Sequence, residues 1–399
     1  MCVLPPRSIT IQKAKVMAIQ QMFSAASGVI EAPDLWEERL PAKYATLCPR
    51  LVETPEGVAW TAAHRVGKAP AYKSALHNSH IDVQKKVTRA DVTWLSTAEG
   101  RRWIQDRDEV SGEVLYSVGD VWDLINSSGD NGFIAACYTA YNDWLAELCT
   151  SSPERFAGIA KIPPTGIKDA TKELKRAAED LSLRGAVIDV WPGGAECPPA
   201  MKECDSFWEA AASLDMPISI HTSLDGKKVA SDPVEPGMAP EYHASLNQII
   251  YANIPDRFPA IRFVSLAPNA GWAPALFEQI NEGYMRTASL RKVNLGNPDL
   301  YPSDYLRRFV WFVTQDDRTA LFNRRYFGES HLMWGSFAFM GEDSVWPNTR
   351  ELFERVTRNL PDNDKHVLAY SVATRLYGVA NAPRFTAAEA SKFDRYSLI

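Results

Sequence analysis

The residues whose types and spacing could do chemistry gather in one stretch, residues 183–223, which reads LRGAVIDVWPGGAECPPAMKECDSFWEAAASLDMPISIHTS. Its centre is His221, which ends a short apolar run, Ile218-Ser219-Ile220. An imidazole takes up and returns a proton near neutral pH without a metal, so His221 is the candidate general acid or base. A lone histidine is also a common structural residue, and the sequence leaves that reading open. Asp189 stands near the end of another apolar run, two residues before Trp191. It either orients His221, acts as a base itself, pairs with Arg184 or caps the turn that follows. Lys161, in the run FAGIAKI, is either an outward-facing charge or a buried amine whose pKa burial lowers. Glu31, Tyr116, Trp191 and Ser336 are expected at neighbouring strand ends, as candidates to line a substrate site.

Other chemistries lack their residues. No Ser-His-Asp order, GxSxG elbow or phosphate-binding glycine loop is present, and Gly193-Gly194 alone is a turn. His77 and His80 have the spacing of a helical metal pair. With no cysteine or carboxylate cluster beside them, they read as solvated loop residues.

These candidates need elements to position them. The run 186–190 empties into Trp191-Pro192-Gly193-Gly194, as a buried strand does on entering a loop. Residues 205–214 place Phe207, Trp208, Ala211 and Leu214 at helical spacing, and Pro217 opens the strand that ends at His221. Strand, helix and strand with short joints make a βαβ unit of a parallel sheet. The rhythm recurs along the chain. Strands are expected at 22–26, 112–117, 156–162, 258–266, 307–314 and 331–336, and helices at 94–108, 135–149, 169–181, 273–285, 318–326, 349–360 and 364–377. About eight such units predict an α/β chain closed into a (β/α)8 TIM barrel, whose chemistry belongs at the carboxyl ends of the strands. Residues 1–21 read as an N-terminal extension, a surface helix or dimer arm. Residues 22–399 read as one barrel, with 52–92 an inserted segment after the first strand. Residues 224–240, rich in Pro, Gly and Asp, have the length of a lid over the site.

Composition bounds the partners. Hydrophobic residues make up 46% and charged residues 23% of the 399, and the net charge is −6. That balance suits a soluble globular protein and gives no basic footprint for nucleic acid. No apolar run is long enough to span a bilayer, and the N-terminal residues lack a signal-peptide pattern, so a cytoplasmic protein is expected. The six cysteines lack framework or CxxC spacing and read as reduced thiols. Twelve tryptophans are the unusual count; most belong to the core, and some could line a pocket for an aromatic ligand.

Several segments together carry a resemblance. VIEAPDLWEERLPAKY, AYNDWLAELCTSSPERFAGIAKIP, the 183–223 stretch, GWAPALFEQI, MWGS and ATRLYG occur in the order found in one family. The chain resembles the amidohydrolase superfamily, in the branch similar to aminocarboxymuconate-semialdehyde decarboxylase. The resemblance implies a (β/α)8 barrel with a catalytic metal at the strand ends, and this sequence departs from it there. The Asp-x-His or His-x-His of the first strand falls on Ala26-Ser27-Gly28. The fifth-strand histidine matches His221, the sixth-strand ligand falls on Ala267, and the Asp of Trp-Gly-Ser-Asp falls on Phe337. One imidazole cannot hold a catalytic zinc, which takes three protein ligands. On this alignment no metal or other cofactor is expected, and Ala26, Gly28, Ala267 and Phe337 would wall an apolar chamber.

The expected function is therefore a metal-independent lyase, cyclase or isomerase acting on a hydrophobic or aromatic small molecule, a natural-product intermediate being one such substrate. His221 and Asp189 are its candidate catalytic residues, and a homodimer is an open possibility. Two alternatives stand beside it: a non-catalytic barrel that binds a small molecule or partner protein, and a metal-dependent decarboxylase or hydrolase with a divergent site.

Overall fold

The computed structural model describes residues 21–67, 87–117, 119, 121–194, 202–220, 224, 239–266, 269–291, 295–328, 330–340, 344–382 and 384. Eight parallel strands form one sheet: β1 (Phe23–Val29), β5 (Gly112–Ser117), β6 (Phe156–Lys161), β7 (Gly185–Ile188), β8 (Ile218–Ile220), β9 (Phe263–Ser265), β10 (Val310–Thr314) and β11 (Leu332–Trp334). Each strand pairs with the next in that order. The ring closes where the chain beyond β11 meets β1 through a parallel Ser27–Ala338 bridge. Gly28 N donates to Ala338 O at 2.6 Å and Phe337 N to Ala26 O at 2.9 Å. Helices, among them Asn131–Thr150, Ile167–Glu179 and Asp205–Ser213, fill the crossovers. The architecture is the expected (β/α)8 barrel. Among the described residues, no helix is long and apolar enough to cross a membrane.

Strand alternation divides the apolar residues into two cores. Phe23, Val114, Ala157, Ile159, Val187, Val264, Trp311, Val313 and Met333 fill the barrel interior. A larger core lies between the sheet and its helices. The interior is plugged from its amino end by the helix Val372–Tyr377. The Phe23 ring, at the start of β1, meets Tyr370 edge-on. Arg384 donates to the backbone of Asp215, just before β8, and to Tyr377 O. Tyr377 Oη lies 3.0 Å from Tyr116 Oη, which lies 3.0 Å from Ser219 Oγ. The polar tips of the plug are thus satisfied inside an apolar core.

Several element bounds differ from the sequence expectation. The expected strand at 307–314 begins as a helix, Pro302–Phe309, with Pro302 in its first turn and Asp304 Oδ2 accepting from Tyr301 N at 2.8 Å. Only Val310–Thr314 is strand. The expected helix at 94–108 is two, Arg89–Leu95 and Ala98–Arg107, parted where Thr97 caps the second. The first strand runs on to Val29 through a bulge between Ser24 and Ser27. The segment between β1 and β5 contains an antiparallel sheet, β2 (Arg50–Thr54), β3 (Gly57–Ala62) and β4 (Arg65–Val66). His77, His80, most of 224–240 and the 1–20 stretch of the N-terminal extension lie outside the described residues.

Candidate functional site at the strand carboxyl ends

Ile159 and Val187 belong to the interior core, so Lys161, two residues further along β6, takes the same face at the carboxyl end, where Asp189, the first residue past β7, meets it. The Lys161 backbone is held on both sides by Asn142. Lys161 N donates to Asn142 Oδ1 at 2.9 Å, and Asn142 Nδ2 donates to Lys161 O at 3.0 Å. Asn142 is fixed in turn by Glu173, at 2.6 Å, and Glu173 by Arg176. The buried Lys161 ammonium lies 2.5 Å from Asp189 Oδ2 and 5.1 Å from the centre of the Trp122 ring. A buried ammonium is costly unless paired, and here it has both a carboxylate and an aromatic face. The Asp189 side chain keeps 35% of its surface exposed, against 6% for Lys161. The carboxylate is presented outward and the amine stands behind it.

A second chain of contacts runs from Trp122 to Glu31. Trp122 Nε1 donates to Ser117 Oγ, and Ser117 Oγ donates to Glu31 Oε1 at 2.7 Å. Glu31 is fully buried. Tyr138 and Tyr141 pack on the Trp122 ring, with centroids 4.6 and 5.2 Å away. Burial raises both hydroxyl pKa values well above the ordinary tyrosine value, with added repulsion from Asp189 at Tyr138 and from Glu31 at Tyr141. Tyr116 lies deeper, between Ser219 and Tyr377, and burial pushes it up to about 12. It is a neutral hydroxyl under the rim. Trp191 is buried, and its backbone N donates to Leu224 O at 3.3 Å.

The seam between β11 and β1 has a different character. Ser24, Ser27 and Ser336 form a triangle of buried hydroxyls, with Oγ separations of 3.0 and 3.1 Å. Ser336 N donates to Ser24 Oγ at 2.9 Å, and Ala338 N to Ser336 Oγ at 3.2 Å. Ser336 thus closes the barrel, and its hydroxyl is engaged within the wall. Ala26 is buried, Gly28 O accepts from Arg101 Nη1 at 2.6 Å, and Phe337 is buried with a left-handed backbone, φ +49°. A methyl placed on Gly335 would come within 3.1 Å of the Phe337 ring and 3.2 Å of Ala26 Cβ, so these three pack side by side. His221 and Ala267 lie outside the described residues. The structure therefore brings Lys161 and Asp189 together, links Glu31 to them through Ser117 and Trp122, and sets Ala26, Gly28, Ser336 and Phe337 along the seam.

Sequence reasoning did not single out Trp122, Ser117, Asn142 or Asp317. Asp317 Oδ2 accepts from Ala270 N and Gly271 N, at 2.7 and 2.6 Å, and fixes the loop beyond β9. The signal available was position: Ser117 ends a strand, and Trp122 and Asp317 each lie a few residues past one. For a metal, the described residues offer a poor set of donors. Ala26, Gly28 and Phe337 have none in their side chains, and no three His, Cys, Asp or Glu side chains converge among the described residues.

Comparison with known proteins agrees with the architecture. A family model described as Amidohydrolase matches residues 127–379. Decarboxylase orsB of Emericella nidulans is 26% identical over 144 residues, covering 32% of this chain and 43% of that protein. The 2-amino-3-carboxymuconate-6-semialdehyde decarboxylase of Dictyostelium discoideum is 24% identical over 205 residues, covering 49% and 54%. The chain thus spans about half the length of these curated relatives. Among solved structures, a dihydroxybenzoic acid decarboxylase from Polaromonas, with bound manganese and 2-nitroresorcinol, superposes with a TM-score of 0.61 at 16% identity. That superposition covers 90% of this chain and 97% of the other. At that identity the likeness shows the fold.

Proposed function

The chain belongs to the amidohydrolase family, in its aminocarboxymuconate-semialdehyde decarboxylase-like branch, and from that premise we propose that it is a metal-independent lyase, cyclase or isomerase. Its substrate is a hydrophobic or aromatic small molecule bound over the carboxyl ends of the strands. The observation that carries this reading is the Lys161–Asp189 pair, 2.5 Å apart on adjacent strand ends against Trp122. Buried charge at the mouth of a barrel is costly, and ligand chemistry is the ordinary reason for it. The relatives named above are decarboxylases, and loss of a carboxylate from an aromatic acid is a lyase reaction of this class. That chemistry requires a proton to be delivered to the ring carbon. His221 and Asp189 are the groups of this chain proposed to hold and move it.

Support for metal independence comes from the donor set. The positions that the resemblance assigns to ligands carry Ala26, Gly28 and Phe337, and the neighbouring serine hydroxyls are engaged with one another. Replacing a whole ligand set with apolar residues avoids leaving an unpaired buried charge. The test is elemental analysis of the purified full chain, with turnover of hydroxylated aromatic acids followed by CO2 release. Metal should be substoichiometric, chelator should leave the rate unchanged, and His221→Ala should lower turnover by about 10²–10⁴-fold. A tightly held metal ion whose removal abolishes turnover would overturn the reading.

A second reading has its own observation. Phe337 is buried against Ala26 and Gly335, so aromatic carbon fills the space on the seam side of the mouth. A barrel narrowed in this way suits a non-catalytic binder of a small molecule or partner. Tight binding without turnover across the same panel would favour it.

A further inference from the structure

We propose that the outer face of the helix Ala98–Arg107 is a two-fold interface, where a second copy of this chain docks antiparallel, with Trp103 against its own symmetry mate and Glu99 against Arg107 of the second copy. The inference does not depend on what the strand ends bind.

The surface is aromatic and firmly held. Two tryptophans are exposed, Trp94 at 41% and Trp103 at 39%, and their rings meet edge-on with centroids 5.1 Å apart. Apolar residues scattered singly over a surface need no explanation, but a joined pair of indoles marks a contact surface. A methyl on Gly100 would come within 2.2 Å of Trp94 O, so the helices Arg89–Leu95 and Ala98–Arg107 are locked together where the chain turns between them. The Trp103 ring also lies 5.9 Å from that of buried Trp346, whose Nε1 donates to Ile104 O at 2.9 Å. Held aromatic anchors of this kind carry much of the energy of protein interfaces, because they lose little freedom on docking.

Charge names the occupant. Glu99, Trp103 and Arg107 are exposed and follow one another at i, i+4 and i+8, as one row along the helix. The other charges of the helix are engaged within the chain. Arg101 pairs with Glu113, Arg102 donates to Ser152 Oγ at 3.0 Å, and Asp106 pairs with Arg155 at 2.7 Å. Among the described residues Glu99 makes no ion pair. Arg107 has no carboxylate partner there, and its guanidinium lies 5.7 Å from the Trp103 ring centre and 6.0 Å from that of Trp346. The row therefore reads acid, indole, base, and it is its own complement when reversed. A two-fold axis through Trp103 sets each Glu99 against the other copy's Arg107 and opposes no like charges along the row. Self-complementarity of this kind is what an isologous contact requires.

The experiment is sedimentation velocity on the full chain. The wild type should show a concentration-dependent equilibrium between monomer and dimer. Glu99→Arg alone and Arg107→Glu alone should each raise the dimer Kd by about 5–30-fold, because each brings like charges together twice per dimer. The double variant Glu99→Arg with Arg107→Glu should return the Kd to within about threefold of the wild type, since its row reads base, indole, acid and again complements itself. Trp103→Ala should raise the Kd by at least about 30-fold, as loss of a central aromatic anchor does. If Trp103→Ala does not fold, the three charge variants, all at exposed positions, decide.

A chain that stays monomeric up to about 100 µM would overturn the proposal, and binding of that monomer to phosphatidylcholine vesicles through Trp103 would give the patch to a lipid surface instead. A dimer insensitive to all four variants would use another surface, which sinks the proposal as well. Weakening in both single charge variants without recovery in the double would refute the antiparallel two-fold pairing.

Discussion

The seam at β11 and β1 and the strand ends at β6 and β7 lie on one rim, and they treat polarity in opposite ways. At the seam, three serine hydroxyls and the backbone donors around them satisfy one another, and Phe337 and Ala26 finish the wall with carbon. Across the ring, β6 ends in the Lys161 ammonium and β7, apolar along its length, is followed at once by the Asp189 carboxylate. The seam spends its polar atoms on holding the barrel shut. The β6–β7 ends hold one charge inside so that the other can be shown outside. The resemblance to the family places the ligand positions Ala26, Gly28 and Phe337 on the seam, so the contrast teaches that, among the described residues, the ionisable groups of the rim stand away from those positions.

Phe337→Ala probes that contrast with the largest expected effect. Removing a buried aromatic ring should cost about 3–5 kcal/mol, read from the midpoint of a urea melt. Phe337→Gly should cost measurably less than volume alone implies, because a glycine accepts the left-handed backbone without strain. A loss below about 1 kcal/mol for Phe337→Ala would mean that the seam side of the mouth is not packed carbon.

A comparable effect should appear in the pH dependence of stability, through the outer brace of the seam. The helix Ala98–Arg107 supports β1 through Arg101, and the chain beyond β11 docks on that helix through Trp346 Nε1 to Ile104 O and Thr349 N to Asp108 Oδ1. Burial, with a smaller contribution from the Glu113 charge, pushes the Asp108 carboxyl up to about 7, against the lowering effects of Thr349 and Arg101. Its folded pKa is above its unfolded one, so the folded state binds the proton more tightly. Stability from this group is complete below about pH 4, falls as pH rises toward 7 and is flat above, an order of 2–4 kcal/mol in all. Asp108→Asn keeps an oxygen for Thr349 N and should flatten that slope. An unchanged slope in Asp108→Asn would place the pH dependence elsewhere.

On the other side of the rim, Lys161→Met should destabilise by about 1–3 kcal/mol, less than for a fully buried pair because water reaches Asp189. A double-mutant cycle of Lys161→Met with Asp189→Asn should show coupling above about 0.5 kcal/mol, as contacting charges do. Additive losses would separate the two residues and remove the contrast with the seam.

How much of this was legible depends on whether a residue's surroundings are local. Phe156–Lys161 could be read nearly to the residue because a central barrel strand is a near-continuous apolar run, and so could Gly112–Ser117, whose one charge, Glu113, is buried against Arg101. The same continuity hid the direction of Lys161. With both faces of β6 apolar, no alternation says which way its last side chain points, and its partner Asp189 is 28 residues away. β2 to β4 escaped because a solvent-facing sheet at the barrel's edge mixes exposed and buried residues without a clean period. Trp122 sits on a helix of six residues, too short for periodicity to mark. The serine triangle joins residues 309 and 312 positions apart, and nothing in three ordinary serines announces that closure.

The smallest expected effect lies within that triangle and tests its role as closure. Ser24 Oγ receives Ser336 N and contacts both other hydroxyls, and it donates to Ala26 O at 2.9 Å. Ser27 contributes its hydroxyl alone, to Ser24 and Ser336. Ser24→Ala leaves a buried backbone N–H without its acceptor and should cost about 1–3 kcal/mol, whereas Ser27→Ala leaves partners that still satisfy each other and should cost about 0.5–1 kcal/mol. The ligand preferences of the β6–β7 ends should be the same in both variants, since these hydroxyls are engaged in the wall. Thermal melts give the first comparison, and phenol binding in the same samples gives the second. If Ser27→Ala left stability untouched and altered binding instead, the seam would belong to the site, and the division of labour along the rim would have to be redrawn.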